Sequence, residues 1–377
     1  MTVSVVVAGG HSAGHIEPAL AVADAIGRLD PSVTITALGT VRGLDTTLIP
    51  ARGYRLELIP PVPLPRKLNA ALLRVPLRLR AAVRTTQAIL ARTDADVVVG
   101  FGGYVALPAY LAARRAKIPI VVHEANARPG IANRLGARLT RHVFTASADI
   151  SLAHASVIGI PLRPAIAELD RAAQRGEARA GFGLDPSAPV LLVTGGSQGA
   201  QSINRVIAES RPMLRAAGVQ VLHIVGPANA GDAGDAAADP DDERARAAPY
   251  VAVPFVEHME RAYAAADFVV CRSGAMTCAE LSAVGLPAVY VPLPLRGGEQ
   301  RLNAEPIVRA GGAMLVENAR FSANWVRENL LPCLLDPQRL VAMSAAAARA
   351  GARDADVVLA RRVLDVARSH HEAGLNR

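Results

Sequence analysis

Hydrophobic positions in this chain come as short unbroken runs, and most are followed by a glycine-rich turn and a helix with one apolar face. Val3 to Ala8, Val33 to Leu38, Asp96 to Gly100 and Ile118 to Val122 form four such runs in the first half. Pro189 to Thr194, Tyr250 to Val253, Asp267 to Val270 and Ala288 to Val291 repeat the pattern in the second. A strand that is apolar at every position is buried on both faces, as in a parallel sheet covered by helices. The pattern therefore predicts an α/β protein built from two Rossmann-like parallel-sheet domains. Gly159-Ile160-Pro161-Leu162-Arg163-Pro164 reads as a rigid connector. It places the boundary between a first domain of residues 1–162 and a second of residues 163–354.

Four glycine-rich turns follow these runs. Gly9-Gly10-His11-Ser12-Ala13-Gly14-His15 leads into an Ala-rich helix, and Phe101-Gly102-Gly103-Tyr104 follows the third run. Gly195-Gly196-Ser197-Gln198-Gly199-Ala200 and Ser273-Gly274-Ala275 occupy the same position in the second half. Ligands bind at the carboxyl ends of the strands in open α/β sheets, where helix N-termini favour anions. None of the four turns fits a known dinucleotide or nucleotide fingerprint. The first lacks the G-x-G-x-x-G spacing, and Gly39-Thr40 stands where an acid would hold an NAD ribose. The third lacks the Gly-Lys-Ser/Thr of a Walker loop.

Composition sharpens this picture at a few points. At 377 residues with 51% hydrophobic but only 3% aromatic content, the cores must be Ala, Val, Leu and Ile. The net charge of +8 suits phosphorylated substrates, an anionic membrane or nucleic acid without choosing among them. Cys271, Cys278 and Cys333 have no metal-ligand spacing and read as free thiols of a reducing cytosol. The opening residues lack a signal-peptide pattern, and no run of about 18 apolar residues occurs, so any membrane contact is expected to be peripheral. The stretch Leu64 to Ala88 carries Arg66, Lys67, Arg74, Arg78, Arg80 and Arg84 among leucines and has no acid. Pro76 divides it into two expected helical segments. Such a stretch suits either anionic lipid headgroups or a solvated surface. Asp239-Pro240-Asp241 spells a metal-binding D-x-D, but its Ala/Asp/Gly-rich setting reads as a surface loop.

His15 stands at a loop–helix junction, a suitable place for a general base, since imidazole titrates near pH 6.5. It reads equally as a capping or packing residue. His123-Glu124-Ala125-Asn126 sets three polar groups at a strand end. Glu280 lies about one and a half turns into the helix after Ser273-Gly274. Gln300 and Asn303 share one helix face.

The stretch from Cys271 to Asn303 resembles the donor-nucleotide region of GT-B glycosyltransferases. The whole chain is similar to the bacterial branch that adds N-acetylglucosamine to lipid I. The first Gly loop, the His-Glu-x-Asn segment, the interdomain Pro-x-Arg segment, Gly-Gly-Ser-Gln-Gly and the Cys271–Asn303 region occur in that family's order. The resemblance implies a GT-B fold, two domains facing across a cleft, with a C-terminal helix of about residues 355–372 returning to the first. It implies an inverting transfer from UDP-GlcNAc to the 4-hydroxyl of the MurNAc of lipid I, with no metal and no cofactor.

It further implies His15 as base with Glu124 as a rival. The residues implied to bind UDP-GlcNAc are Ser12, Ala13, Gly14, Asn126, Arg163, Ser197, Val256, the run Ala275, Met276, Thr277, Cys278, Ala279 and Glu280, and Gln300. Tyr104 and His123 would meet the acceptor, His123 and Glu124 alternatively bracing the loop. The implied place of work is the cytoplasmic face of the inner membrane, bound peripherally to its anionic surface, with no nucleic-acid partner. In the first loop His11 stands where the family has Gly, and Ser12 where it has Thr. His11 is the larger departure, because a side chain resists positive φ. A GT-B enzyme with another acceptor, a UDP-GlcNAc 2-epimerase and a non-enzymatic basic binding protein are the rival readings.

Overall fold

The computed structural model describes residues 2–62, 74–196, 199–229, 248–294 and 297–375. They divide into one unit of Met1–Arg163 with Arg353–Arg377 and a second of Pro164–Ala352. Each contains one sheet whose strands all run parallel.

The first sheet consists of β1 (Ser4–Gly9), β2 (Thr34–Gly39), β3 (Arg55–Leu58), β4 (Val97–Gly102), β5 (Ile120–Glu124), β6 (His142–Thr145) and β7 (Ala155–Val157). Their order is β3-β2-β1-β4-β5-β6-β7. The unbroken apolar runs predicted the central strands correctly, and Val5, Val6, Val97, Val98, Val121 and Val122 are fully buried. The order reverses between β1 and β4. At such a switch point the outgoing helices leave on opposite faces and open a crevice above the strand ends. The helices α1 (Ala13–Leu29), α2 (Asp45–Ala51), α3 (Val75–Arg92), α4 (Gly103–Ala116) and α5 (Ile131–Gly136) belong to this unit.

The helix Ala355–Leu375 completes the first unit. Its Leu359, Ala360, Val363, Leu364 and Ala367 lie in the same apolar cluster as Val5, Ile16, Ile26 and Val97. Two ion pairs and a side-chain contact fasten it: Arg28 to Asp356 at 2.8 Å, Arg368 to Asp30 at 2.9 Å, and His371 Nδ1 lying 3.0 Å from Asp96 Oδ1.

The second sheet has β8 (Val190–Thr194), β9 (Gln220–Ile224), β10 (Tyr250–Val253), β11 (Phe268–Cys271), β12 (Ala288–Tyr290) and β13 (Ala313–Leu315). The order β10-β9-β8-β11-β12-β13 repeats the same reversal, here between β8 and β11. Arg179, fully buried, braces this unit by donating to the carbonyls of Ala265, Pro186 and Ala188 and pairing with Asp267 at 2.7 Å.

One local expectation is corrected. Phe255-Val256-Glu257 read from the sequence as the opening of a helix; they form a loop instead, and the helix begins at Met259. Pro76 occupies the first turn of α3, where a missing N–H leaves no bond unmade, so the second of the two expected segments starts at Val75; the first lies outside the described residues. The first half of the basic stretch (residues 64–73) and Asp239-Pro240-Asp241 lie outside the described residues. Among the described residues no helix is long and apolar enough to cross a membrane, and no group of His, Cys, Asp or Glu is arranged to hold a metal ion.

Candidate functional site

Each unit's switch point, taken by itself, gathers several of the residues that the sequence singles out. In the first unit the loop after β1 and the start of α4 meet at His15. The Ser12 hydroxyl and His15 Nδ1 are 3.0 Å apart. Ser12 is the N-cap of α1, but its side chain makes no cap bond to the helix. The first helical bonds run from the N–H groups of His15 and Ile16 to the Ser12 carbonyl. The earlier N–H groups, of Ala13 and Gly14, have no intrahelical acceptor. The imidazole of His15 lies on the Gly102-Gly103 turn, whose φ values are 93° and 75°. A Cβ on Gly102 would come within 3.2 Å of His15 Nε2, so this approach requires glycine in both backbone and space. Burial, and secondarily the charge of His11, hold the His15 pKa below its usual value. The ring is therefore neutral at neutral pH and able to accept a proton.

The His123–Asn126 segment is built differently. Glu124 is buried, and its carboxylate accepts from the Asn126 and Gly130 N–H groups, both at 3.0 Å. It also accepts from Asn133 Nδ2 at 3.0 Å and Asn126 Nδ2 at 3.5 Å. Burial raises its pKa against the pull of these donors. His123 is fully buried, with Nε2 2.8 Å from the Gly159 carbonyl and its ring beside Phe101. Burial pushes its pKa down to about 4. Both side chains are thus engaged inside the fold, which favours the bracing alternative over direct acceptor contact. Asn126 is half-buried beside Glu124, and Tyr104 stands at the start of α4 with 36% exposure.

In the second unit the helix Ala275–Ala283 starts directly above the end of β11. Its first intrahelical bond runs from Cys278 N–H to the Gly274 carbonyl, leaving the N–H groups of Ala275, Met276 and Thr277 before it. Ser273 is fully buried, and its hydroxyl has no partner among the described residues. Cys278 departs from expectation. Its side chain is buried with a pKa raised to about 12 by desolvation, and its N–H is already bonded. The next residue, Ala279, is half-buried. Glu280 Oε2 accepts from the Tyr263 hydroxyl at 2.7 Å.

On the helix Glu299–Arg309, Gln300 Oε1 accepts from Leu293 N–H at 2.8 Å and Asn303 Nδ2 donates to the Ser273 carbonyl at 3.3 Å. Val256 lines a pocket with Phe182, Val253, Phe255, Glu257 and Arg261. Arg163 is the last residue of the first unit's main segment, its buried Nε without a partner among the described residues. Ser197 lies outside the described residues.

Two residues with a clear place in this architecture escaped the sequence reading. Asp45, fully buried, accepts from His11 N–H at 2.6 Å and Thr40 N–H at 2.8 Å, locking the loop after β1 to the loop after β2. Arg272 donates to the Val291 carbonyl at 2.9 Å, Asn318 Oδ1 at 2.8 Å and the Ser202 hydroxyl at 2.9 Å. It ties together four strand-end segments, after β8, β11, β12 and β13. Neither has a local signal, because every partner but Thr40 is remote in sequence.

Residues 5–145 match the Glycosyltransferase family 28 N-terminal domain, and residues 190–359 match the Glycosyltransferase family 28 C-terminal domain. The chain is 57% identical over 367 residues to a Streptomyces avermitilis protein, covering 97% of this chain and 99% of that one. That relative is named UDP-N-acetylglucosamine--N-acetylmuramyl-(pentapeptide) pyrophosphoryl-undecaprenol N-acetylglucosamine transferase. Among solved structures, the chain is similar to Acinetobacter baumannii MurG, with a TM-score of 0.77 at 26% identity, covering 97% of this chain and 99% of that one. A UDP-GlcNAc 2-epimerase from Neisseria meningitidis shares the fold, with a TM-score of 0.66 at 15% identity over 97% of this chain and 100% of that one.

Proposed function

The chain belongs to glycosyltransferase family 28, and from that premise we propose that it transfers N-acetylglucosamine from UDP-N-acetylglucosamine to lipid I. Lipid I is the pyrophosphoryl-undecaprenol carrier of N-acetylmuramyl-pentapeptide, and the product is lipid II for peptidoglycan. The observation that carries this reading is the end-to-end match, at 57% identity, to a relative bearing that activity.

The chemistry follows from the two strand-end sites. In the tautomer with its proton on Nδ1, toward the Ser12 hydroxyl 3.0 Å away, His15 has the Nε2 lone pair free to act as the base. Nε2 takes the proton of the MurNAc 4-hydroxyl as its oxygen attacks the anomeric carbon. The bond to UDP breaks on the opposite face, so configuration inverts. The leaving pyrophosphate carries the negative charge that the N–H groups of Ala275, Met276 and Thr277 and the unpartnered Ser273 hydroxyl are placed to receive. Glu280 takes the ribose, Val256 the base, and Asn126, Arg163 and Gln300 the sugar end of the donor. Ser12, Ala13 and Gly14 line the sugar's approach. Tyr104 meets the acceptor, and Glu124 with His123 holds the loop that presents Asn126.

At the membrane, α3 supports peripheral attachment to an anionic cytoplasmic surface. Leu77 is 70% exposed, and Arg74, Arg78, Arg80 and Arg84 are all exposed around it. The test is UDP release from UDP-N-acetylglucosamine with and without a short-prenyl lipid I analogue. Acceptor-dependent release with a disaccharide lipid product is expected. UDP release or epimerised sugar without acceptor would overturn the reading in favour of the epimerase fold-mates.

A further inference from the structure

Glu280, placed above at the donor's ribose, is held from the protein side by a second residue. Its Oε2 accepts from the Tyr263 hydroxyl at 2.7 Å. Glu280 is half-buried on the helix Ala275–Ala283, whereas Tyr263, on the helix Met259–Ala265, is only 2% exposed. The phenol ring is thus fixed by its packing, and its hydroxyl reaches the carboxylate from the core.

The two helices that carry this pair are tied together by a third element. Arg171 opens the helix Arg171–Gly181. Its Nε donates to the Tyr263 carbonyl at 3.2 Å and its Nη2 to the Ala266 carbonyl at 2.6 Å, at the end of the tyrosine's helix. Its Nη1 donates to the Gly285 carbonyl at 2.9 Å, just past the end of the glutamate's helix. One planar guanidinium therefore sets the spacing of both helices.

Such rigidity has a use in binding. Glutamate is among the side chains that lose most rotamer freedom when ordered. A hydrogen bond from a fixed phenol meets part of that loss before a ligand arrives. A carboxylate offers about four lone-pair sites, so a bond from Tyr263 does not exhaust it. Ribose presents two adjacent hydroxyl donors that a correctly turned carboxylate can receive together, and 2′-deoxyribose lacks one of them.

We propose that Tyr263 is a positioning residue for the donor: it holds the Glu280 carboxylate in the orientation that receives the ribose hydroxyls, and so sets the preference for a ribonucleotide over a 2′-deoxyribonucleotide. The inference rests on the placement of the ribose at Glu280 proposed above.

The test measures binding of UDP and 2′-deoxy-UDP by calorimetry for the wild type, Tyr263→Phe, Glu280→Ala and the double variant. The wild type should bind UDP about tenfold more tightly than 2′-deoxy-UDP, the effect of one hydrogen bond to a charged group. Tyr263→Phe should weaken UDP about fivefold and 2′-deoxy-UDP by less than about twofold, so that most of the preference is lost. In the Glu280→Ala background the same substitution should change neither affinity by more than about twofold, because the tyrosine acts through the carboxylate. Equal weakening of both nucleotides by Tyr263→Phe, or an unchanged preference, overturns the proposal and leaves Glu280 at the ribose. A wild type without the preference, or a preference that survives Glu280→Ala, removes Glu280 from the ribose and overturns the proposal with it. The expected nucleotide preferences without acceptor-dependent UDP release would overturn the transferase reading alone.

Discussion

The loops after β1, β4 and β5 present side chains: His15 on the Gly102-Gly103 turn, His11 against Tyr104, Asn126 beside Glu124. The loop after β11 presents backbone, the three N–H groups that open the Ala275–Ala283 helix, while Cys278 points into the core and Arg272 is bound to its neighbours. Both sites occupy the same topological position, a strand-order reversal in a parallel sheet. The difference shows that the fold supplies the location and the loops divide the labour. On the function proposed above, a proton is taken by a group that titrates, which calls for a side chain at the first site. A pyrophosphate would be held by fixed dipoles that need not titrate, so the second could rely on main chain and be made rigid behind it.

That division breaks first at His15. His15→Ala should lower kcat by about 10²–10⁴-fold with Tm and donor affinity nearly unchanged. Near-full turnover in a folded variant would remove the base from the first unit. The pH profile sharpens the same point. Burial and the charge of His11 lower the pKa of His15, and the base works unprotonated. The kcat/KM of the wild type should therefore fall only on the acid side, with its midpoint below about 6.5. A midpoint at higher pH would indicate another group.

Arg272→Lys tests the second site through its support. Lysine keeps the charge but cannot span the Val291, Asn318 and Ser202 acceptors together. Donor KM should rise about tenfold, acceptor KM should hold, and steady-state kinetics with each substrate varied would separate the two. The smallest functional effect is expected at Cys278→Ala. Its buried thiol serves packing, so a loss of about 1–2 kcal/mol in stability by denaturant unfolding should accompany an unchanged donor KM. A large rise in donor KM would mean that the second site uses side chains after all.

The strands and their glycine turns were legible because burial on both faces writes itself as unbroken Val, Ile and Ala runs. The positions of His15 and of the Ala275–Ala283 helix were legible because each directly follows such a run. What stayed hidden depends on contacts between distant segments. Asp45 looks like an ordinary first-turn acid until His11 and Thr40 are seen around it. The inward turn of Cys278 is a matter of helix phase, which a nine-residue helix with few strongly polar positions does not declare.

The helix Ala355–Leu375 has a consequence for how the chain is made. Its Leu359, Val363 and Ala367 cover the same cluster as Val5 and Ile26, residues synthesised at the outset. The second unit is contiguous from Pro164 to Ala352 and so can complete itself on the ribosome. The first unit cannot close its core until translation has passed the last helix. The half of the protein that begins first is therefore the half that finishes last, and its apolar flank waits through the synthesis of an entire domain.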